Sequence, residues 1–127
     1  MARVLLIEPD RLRARNVSEA LTRAGHVVNS YQTGQSAIHN ADVTPPDVII
    51  LELQLAGHNG LEFLHEFRSY PDFQDIPIIL YTLIPPVMLS ANSEVFNLLG
   101  IQGYLYKPLT KLKHIVAAVD RLATVAA

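Results

Sequence analysis

The chain contains no cysteine, which removes disulfides, thiolate metal sites and thiol nucleophiles together. Redox compartment therefore cannot be read from cysteine pairing. An export signal is also missing from the N-terminus, where the apolar run at residues 4–7 (VLLI) lies between Arg3 and Glu8. That run is too short for a signal peptide or a membrane span, so a cytoplasmic location away from membranes is expected. Nor is there an excess of positive charge, with 10 basic side chains against 12 acidic ones. Nucleic-acid binding usually leaves a basic stripe. The nearest approach is Arg11, Arg13, Arg15 and Arg23, interrupted by Glu19. Arg11 and Arg15 share a helix face, and a solvated surface is the simpler reading. Direct nucleic-acid binding through these arginines would show itself as steeply salt-dependent affinity.

What is present is a chain of 127 residues, half of them apolar. That is the size of one ordinary domain, long enough to bury a core without metals or disulfides. Three short apolar runs, 4–7, 48–51 and 78–80, are rich in β-branched residues and bounded by polar residues or proline. They read as strands buried on both faces. Residues 27–28 and 104–106 are weaker strands, as expected nearer a sheet edge.

Between the strands lie segments with helical spacing. The first, 11–24, carries Ala14, Val17 and Leu21 on one face and stops at Gly25, a good residue just past a helix end. A second is expected over 34–40. The third begins near Asn59 and turns Leu61, Leu64 and Phe67 inward. A fourth covers 90–99 and ends at Gly100. The fifth, 109–124, has Leu112, Ile115, Val116, Val119 and Leu122 as its apolar face. Strand and helix alternate five times, and crossovers between parallel strands are right-handed, so helices cover both faces. The expected architecture is one α/β domain over 1–127, a doubly wound five-stranded parallel sheet. No linker, repeat or low-complexity tract interrupts it.

In open sheets of this kind, sites form outside the carboxyl ends of the strands. Those ends carry Glu8-Pro9-Asp10, Glu52, Thr82 and Lys107-Pro108. Carboxylates, a hydroxyl and an ammonium thus converge on one crevice. Each has a plainer reading: Asp10 as a helix N-cap, Thr82 as a β-branched strand end, Lys107 as an exposed lysine. Glu52 resists one, because a carboxylate directly after four buried aliphatics needs a partner, and Lys107 could supply it. A phosphate-binding nucleotide fold would instead need a glycine-rich turn after the first strand. Here that turn is acidic and loses an amide donor at Pro9. The five histidines show no paired metal-ligand spacing, and His58 reads as a loop residue.

Taken in order, VLLIEPD, PDVIILELQLAGHNGLEFL, IPIILYT and GYLYKPLT resemble the receiver domain of two-component response regulators over essentially the whole chain. The resemblance implies the flavodoxin-like strand order 2-1-3-4-5. It also implies phosphoryl transfer from a sensor kinase's phosphohistidine to an aspartate ending the third strand. Mg²⁺ would be held by an acidic pair after the first strand, by that aspartate and by a backbone carbonyl two residues on. Carried over residue by residue, the phosphoacceptor position is Glu52, the carbonyl is that of Gln54, and the switch residues are Thr82 and Tyr104. The phosphate-contacting lysine is Lys107, and its peptide bond to Pro108 is expected to be cis, which X-Pro bonds tolerate at modest cost.

The departures from that pattern bear on the chemistry. Glu52 replaces the acceptor aspartate, Pro9 replaces one acid of the pair, and Ala56 stands where a proline is usual. The apolar segment 83–88 is longer than expected. Mg²⁺ demands near-ideal octahedral oxygen ligation, so loss of an acid at Pro9 should weaken it, with Asp10 compensating only if the turn reshapes. Glu52 carries its carboxylate roughly 1.3–1.5 Å further out, and a misplacement near 1 Å can cost about a hundredfold in rate. Phosphoryl transfer is mostly positioning and charge neutralisation.

The expected function is therefore an atypical receiver that is not phosphorylated at the usual position and is not an enzyme. It would act by protein contact in a phosphorelay and need no cofactor. A working phosphoacceptor using Mg²⁺ with Glu52 or another residue is the competing class. Glu52 would either reach toward Thr82 and Lys107 and imitate the phosphorylated state, or merely pair with Lys107 in a domain without a switch. Expected partners are a histidine kinase, an output protein or a second copy. The face concerned is made by the helix at 90–99, the fifth strand and the last helix. No DNA-binding domain is expected within the 127 residues; an output domain beyond them is compatible with the sequence.

Overall fold

The structure, a computed structural model, describes residues 1–55, 58–85 and 97–126. Five parallel strands form the sheet: β1 (Arg3–Ile7), β2 (Val27–Tyr31), β3 (Val48–Leu51), β4 (Ile78–Thr82) and β5 (Ile101–Tyr106). Their order is β2-β1-β3-β4-β5, so the two weaker strands are indeed the edges. Among the described residues, the helices lying wholly within them are α1 (Arg11–Arg23), α2 (Gly34–Val43), α3 (Gly60–Ser69) and α4 (Leu112–Ala126). The expected helix over 90–99 lies largely outside the described residues; Asn97 and Leu98 are helical. The segment 86–88 also lies outside them, as does Ala56.

The period of two along each strand divides the core. Leu5, Ile7, Ile49, Leu51, Ile78 and Leu80 face α2 and α3, whereas Val4, Leu6, Val48, Ile50 and Ile79 face α1 and α4. On the first side Phe63, Phe67 and Phe73 stack, with ring centroids 5.6 Å and 4.6 Å apart. Phe63 completes the inward face of α3, while Leu61 is only partly buried.

Several local expectations change. The last helix starts at Leu112 rather than at 109, because Lys107–Leu109 form a 3-10 turn closed by the Thr110 amide on the Lys107 carbonyl (3.2 Å). Leu112 then lies at the exposed start of α4 instead of on its core face. That turn is built with a trans Lys107–Pro108 bond, since the described residues contain no cis peptide. His58 sits in a two-residue antiparallel ladder, opposite Leu55, rather than in an unpaired loop.

Two features hold the strand ends in place. The Arg68 guanidinium donates to the carbonyls of Leu99 (2.8 Å), Phe73 (2.5 Å) and Ile76 (2.6 Å), tying α3 to the approaches of β4 and β5. Burial pulls its pKa down and neighbouring Asp75 opposes the shift. Gly60 permits α3 to begin against the end of β3. A Cβ there would lie 2.7 Å from the Leu53 Cα, and the Gly60 amide donates to the Leu53 carbonyl at 2.6 Å.

Candidate functional site

Parallel register brings the ends of β1, β3, β4 and β5 to one edge. There Glu8, Glu52, Thr82 and Lys107 are all buried. The Lys107 ammonium sits between the two acids, 2.6 Å from Glu8 Oε1 and 3.3 Å from Glu52 Oε1. It also lies 5.3 Å from the centroid of the Tyr81 ring, whose face favours a cation. Glu8 Oε1 accepts no directed hydrogen bond, so its short contact with Lys107 is its compensation for burial. The other Glu8 oxygen accepts from the Asp10 amide at 3.1 Å, the first N–H available after Pro9.

Glu52 is held more fully. Its Oε2 accepts from the Leu53 amide at 2.8 Å, and Oε1 accepts from the Leu83 amide at 3.3 Å. One oxygen is thus shared between Lys107 and the backbone just past β4. Thr82 turns its hydroxyl along the chain, accepting from the Ile84 amide at 3.2 Å. The Tyr104 hydroxyl donates to the Ile84 carbonyl. Consecutive residues after β4 are therefore pinned, Leu83 by Glu52 and Ile84 by Thr82 and Tyr104.

Burial raises the Tyr104 pKa above the usual tyrosine value of 10.0, and the charges of Glu52 and Tyr106 add to the effect. A raised folded-state value means that the folded protein holds this proton more tightly than the unfolded chain. Stability from Tyr104 is then fully present below the ordinary tyrosine range and is lost as pH rises through the folded value. Alkaline titration of tyrosine absorbance, run beside a stability profile, is expected to lose a transition above the ordinary tyrosine range in Tyr104→Phe. An unchanged titration envelope in that variant's difference curve contradicts it.

The side chains of two further expected residues are placed differently. Asp10 caps α1, its carboxylate accepting from the Arg13 amide at 3.1 Å. That bond is the main reason its pKa falls, against a smaller opposing effect of burial. Gln54, expected through its backbone carbonyl, lies in the short ladder after β3 opposite Asn59, with its side chain exposed. Among the described residues, no group of three or more His, Asp or Glu side chains is placed to hold a metal ion.

The Tyr81 ring and the Leu53 and Leu83 amides were invisible to residue-type reasoning. Backbone donors carry no residue signal, and Tyr81 reads simply as a strand residue.

The chain matches the response regulator receiver domain family over residues 4–120. It belongs to that family. The match spans all four buried polar groups at the strand ends, and receivers are signalling modules. The transcriptional regulatory protein QseB of Haemophilus influenzae is 34% identical over 121 residues, covering 94% of this chain and 52% of that protein. The KDP operon transcriptional regulatory protein KdpE of Escherichia coli is 30% identical over 113 residues, 85% of this chain and 45% of that one. The receiver thus spans about half the length of the curated relatives it matches. In fold it is similar to the chemotaxis protein CheY4 of Vibrio cholerae, with a TM-score of 0.85 at 24% identity over 96% of this chain and 98% of that one. The flavodoxin-like order of the receiver's strands agrees with that likeness. No helix among its described residues is long and apolar enough to cross a membrane.

Proposed function

We propose that this receiver signals by protein contact without phosphorylation, with the Glu52 carboxylate in the place of a phosphorylated aspartate. The observation that carries this reading is the double engagement of Glu52 Oε1, by the Lys107 ammonium and by the Leu83 amide. An anion at the end of the third strand draws in the lysine and the backbone after the fourth. That is what a phosphoryl group would do there, and Glu52 does it with one extra methylene. The pinning of Ile84 by Tyr104 favours the imitating state over an inert Glu52–Lys107 pair.

A Mg²⁺ ion does not fit these residues. The space between the Glu8 and Glu52 carboxylates already holds a resident cation, Lys107. Pro9 supplies no acid, and the Asp10 carboxylate is committed to the helix cap. Mg²⁺ requires an octahedron of oxygens and sheds water reluctantly, so an anchored ammonium with fixed partners is the better occupant. No reaction step is assigned to a metal, and the domain is read as a non-catalytic module. Its partners are a kinase or output protein of a two-component pathway, reached at the face of β5, α4 and the segment before β5, or a second copy meeting that same face. A cytoplasmic setting suits such a partner.

Incubation with Mg²⁺ and acetyl phosphate, followed by intact mass measurement, is expected to leave the mass unchanged. A metal-dependent phosphoryl adduct would refute phosphorylation independence.

The imitating role has its own measure. Glu52→Gln keeps the shape and removes the charge. A hydrogen bond to a charged group contributes about 1.5–3 kcal/mol, so the Leu83 amide should exchange with solvent roughly 10–150-fold faster. Exchange at Leu83 that does not change would leave Glu52 without a hold on this segment.

A further inference from the structure

We propose that the cavity between α1, the end of β2 and the start of α2 binds the phosphate monoester of a small hydroxylated molecule. This inference is independent of the reading of Glu52, because none of Glu8, Glu52, Thr82 and Lys107 lines the cavity.

The cavity is an open cleft of about 470 Å³ with Arg11, Arg15 and Ser30 exposed along it, within the size range of small-molecule sites. Its walls carry two guanidinium groups, Arg11 and Arg15, and hydroxyls from Ser18, Ser30, Tyr31 and Ser36, with no carboxylate in the lining. Helical spacing explains one wall: residues 11, 15 and 18 stand on the same side of α1. The end of β2 and the turn into α2 supply the other. Two stretches of the chain, residues 11–18 and 30–36, therefore place cations and hydroxyls around one space, in a chain whose acidic side chains outnumber its basic ones by 12 to 10.

The positive charge there is under-compensated. Arg15 contacts Glu19 at 3.1 Å, but the other Glu19 oxygen lies 3.6 Å from Arg23, so two guanidiniums share one carboxylate. Arg11 has no acidic partner among the described residues. The first turn of α1 contains no acidic side chain and begins with Arg11. The helix macrodipole disfavours cations at that end, and the Asp10 carboxylate there accepts from the Arg13 amide and forms no ion pair with Arg11. An external anion would relieve the repulsion.

The lining also narrows the ligand. Guanidinium groups recognise phosphate through paired N–H donors, and a dianion answers two of them. The Ser18, Ser30 and Tyr31 hydroxyls make no hydrogen bond within the described protein and suit a sugar-like body. An apolar body would strip them of water without replacing it.

The test is a backbone-amide NMR titration of the whole chain with inorganic phosphate, glucose 6-phosphate and AMP, with glucose and sodium chloride as controls. Shifts are expected to cluster at residues 11–18 and 30–36. Inorganic phosphate should saturate with a Kd on the order of 1 mM, and at least one ester should bind about tenfold more tightly. Arg11→Gln with Arg15→Gln, checked for an intact fold by circular dichroism, should weaken ester binding by about tenfold or more. Which ester wins distinguishes a sugar from a nucleoside body. The proposal is overturned by esters no tighter than phosphate, by equal affinity in the double variant, or by shifts centred on residues 8, 52 and 107. No saturable shift with any probe up to roughly 20 mM overturns it equally.

Discussion

Lys107→Met is expected to destabilise the fold by about 3–5 kcal/mol, the usual cost of leaving a buried charge unpaired. The ammonium lies within 2.6 Å and 3.3 Å of two carboxylate oxygens, Glu8 Oε1 and Glu52 Oε1, on side chains only 1% and 3% exposed. Removing it leaves two negative charges facing one another, away from water. Glu8 Oε1 would then have no compensating group at all, whereas Glu52 retains the Leu53 and Leu83 amides.

The intact triad is nevertheless a modest contributor to net stability, since desolvation of three charges offsets much of their attraction. The triple variant Lys107→Met with Glu8→Gln and Glu52→Gln should therefore regain most of the loss. Urea unfolding of the wild type, single and triple variants measures both effects. A single variant within about 1 kcal/mol of wild type would mean that the acids are hydrated rather than buried. A triple variant as unstable as the single one would place the loss in packing around the lysine stem.

The second large effect concerns metal affinity. Glu52→Asp combined with Pro9→Asp is expected to raise Mg²⁺ affinity by at least about tenfold, equivalent to ~1.4 kcal/mol. Shortening the side chain withdraws the carboxylate from Leu83 and Lys107. It frees oxygen ligands that the present arrangement commits to an ammonium and two amides. An acid at position 9 adds a negative charge at the turn where Pro9 now gives neither charge nor amide. Hard divalent cations respond to both changes, ligand count and site charge. The chain has five tyrosines and no tryptophan, so tyrosine fluorescence, with Tyr81 and Tyr104 near the site, follows a Mg²⁺ titration without tryptophan background. Glu52→Asp alone should give a smaller gain. No gain in the double variant would count against the placement of positions 9 and 52 in one site.

Much of this was already legible in residue order. Four consecutive aliphatics before Glu52 marked a central strand, and solvation energetics then required a partner for its charge. The face of α1 followed from Ala14, Val17 and Leu21, all of which are buried. These inferences succeed because they rest on local periodicity and on the cost of burying charge, both properties of the chain itself.

Where two local roles were compatible with one residue, only the folded chain could choose. Asp10 reads equally as a metal ligand or as a cap, and its side-chain direction decided for the cap. Leu112 fits an apolar stripe, but the 3-10 turn at Lys107–Leu109 delays α4 and leaves it at an exposed helix start. The trans bond at Pro108 belongs to that same turn.

The buried cluster itself divides the same way. Sequence by itself determined that Glu8, Glu52, Thr82 and Lys107 end successive strands of one parallel sheet, because strand boundaries are written in residue type. Tertiary structure alone decided that Lys107 stands between both acids and that Glu52 grips the Leu83 amide. Those contacts join residues 31 to 99 positions apart, through side-chain directions and backbone donors that no local pattern encodes.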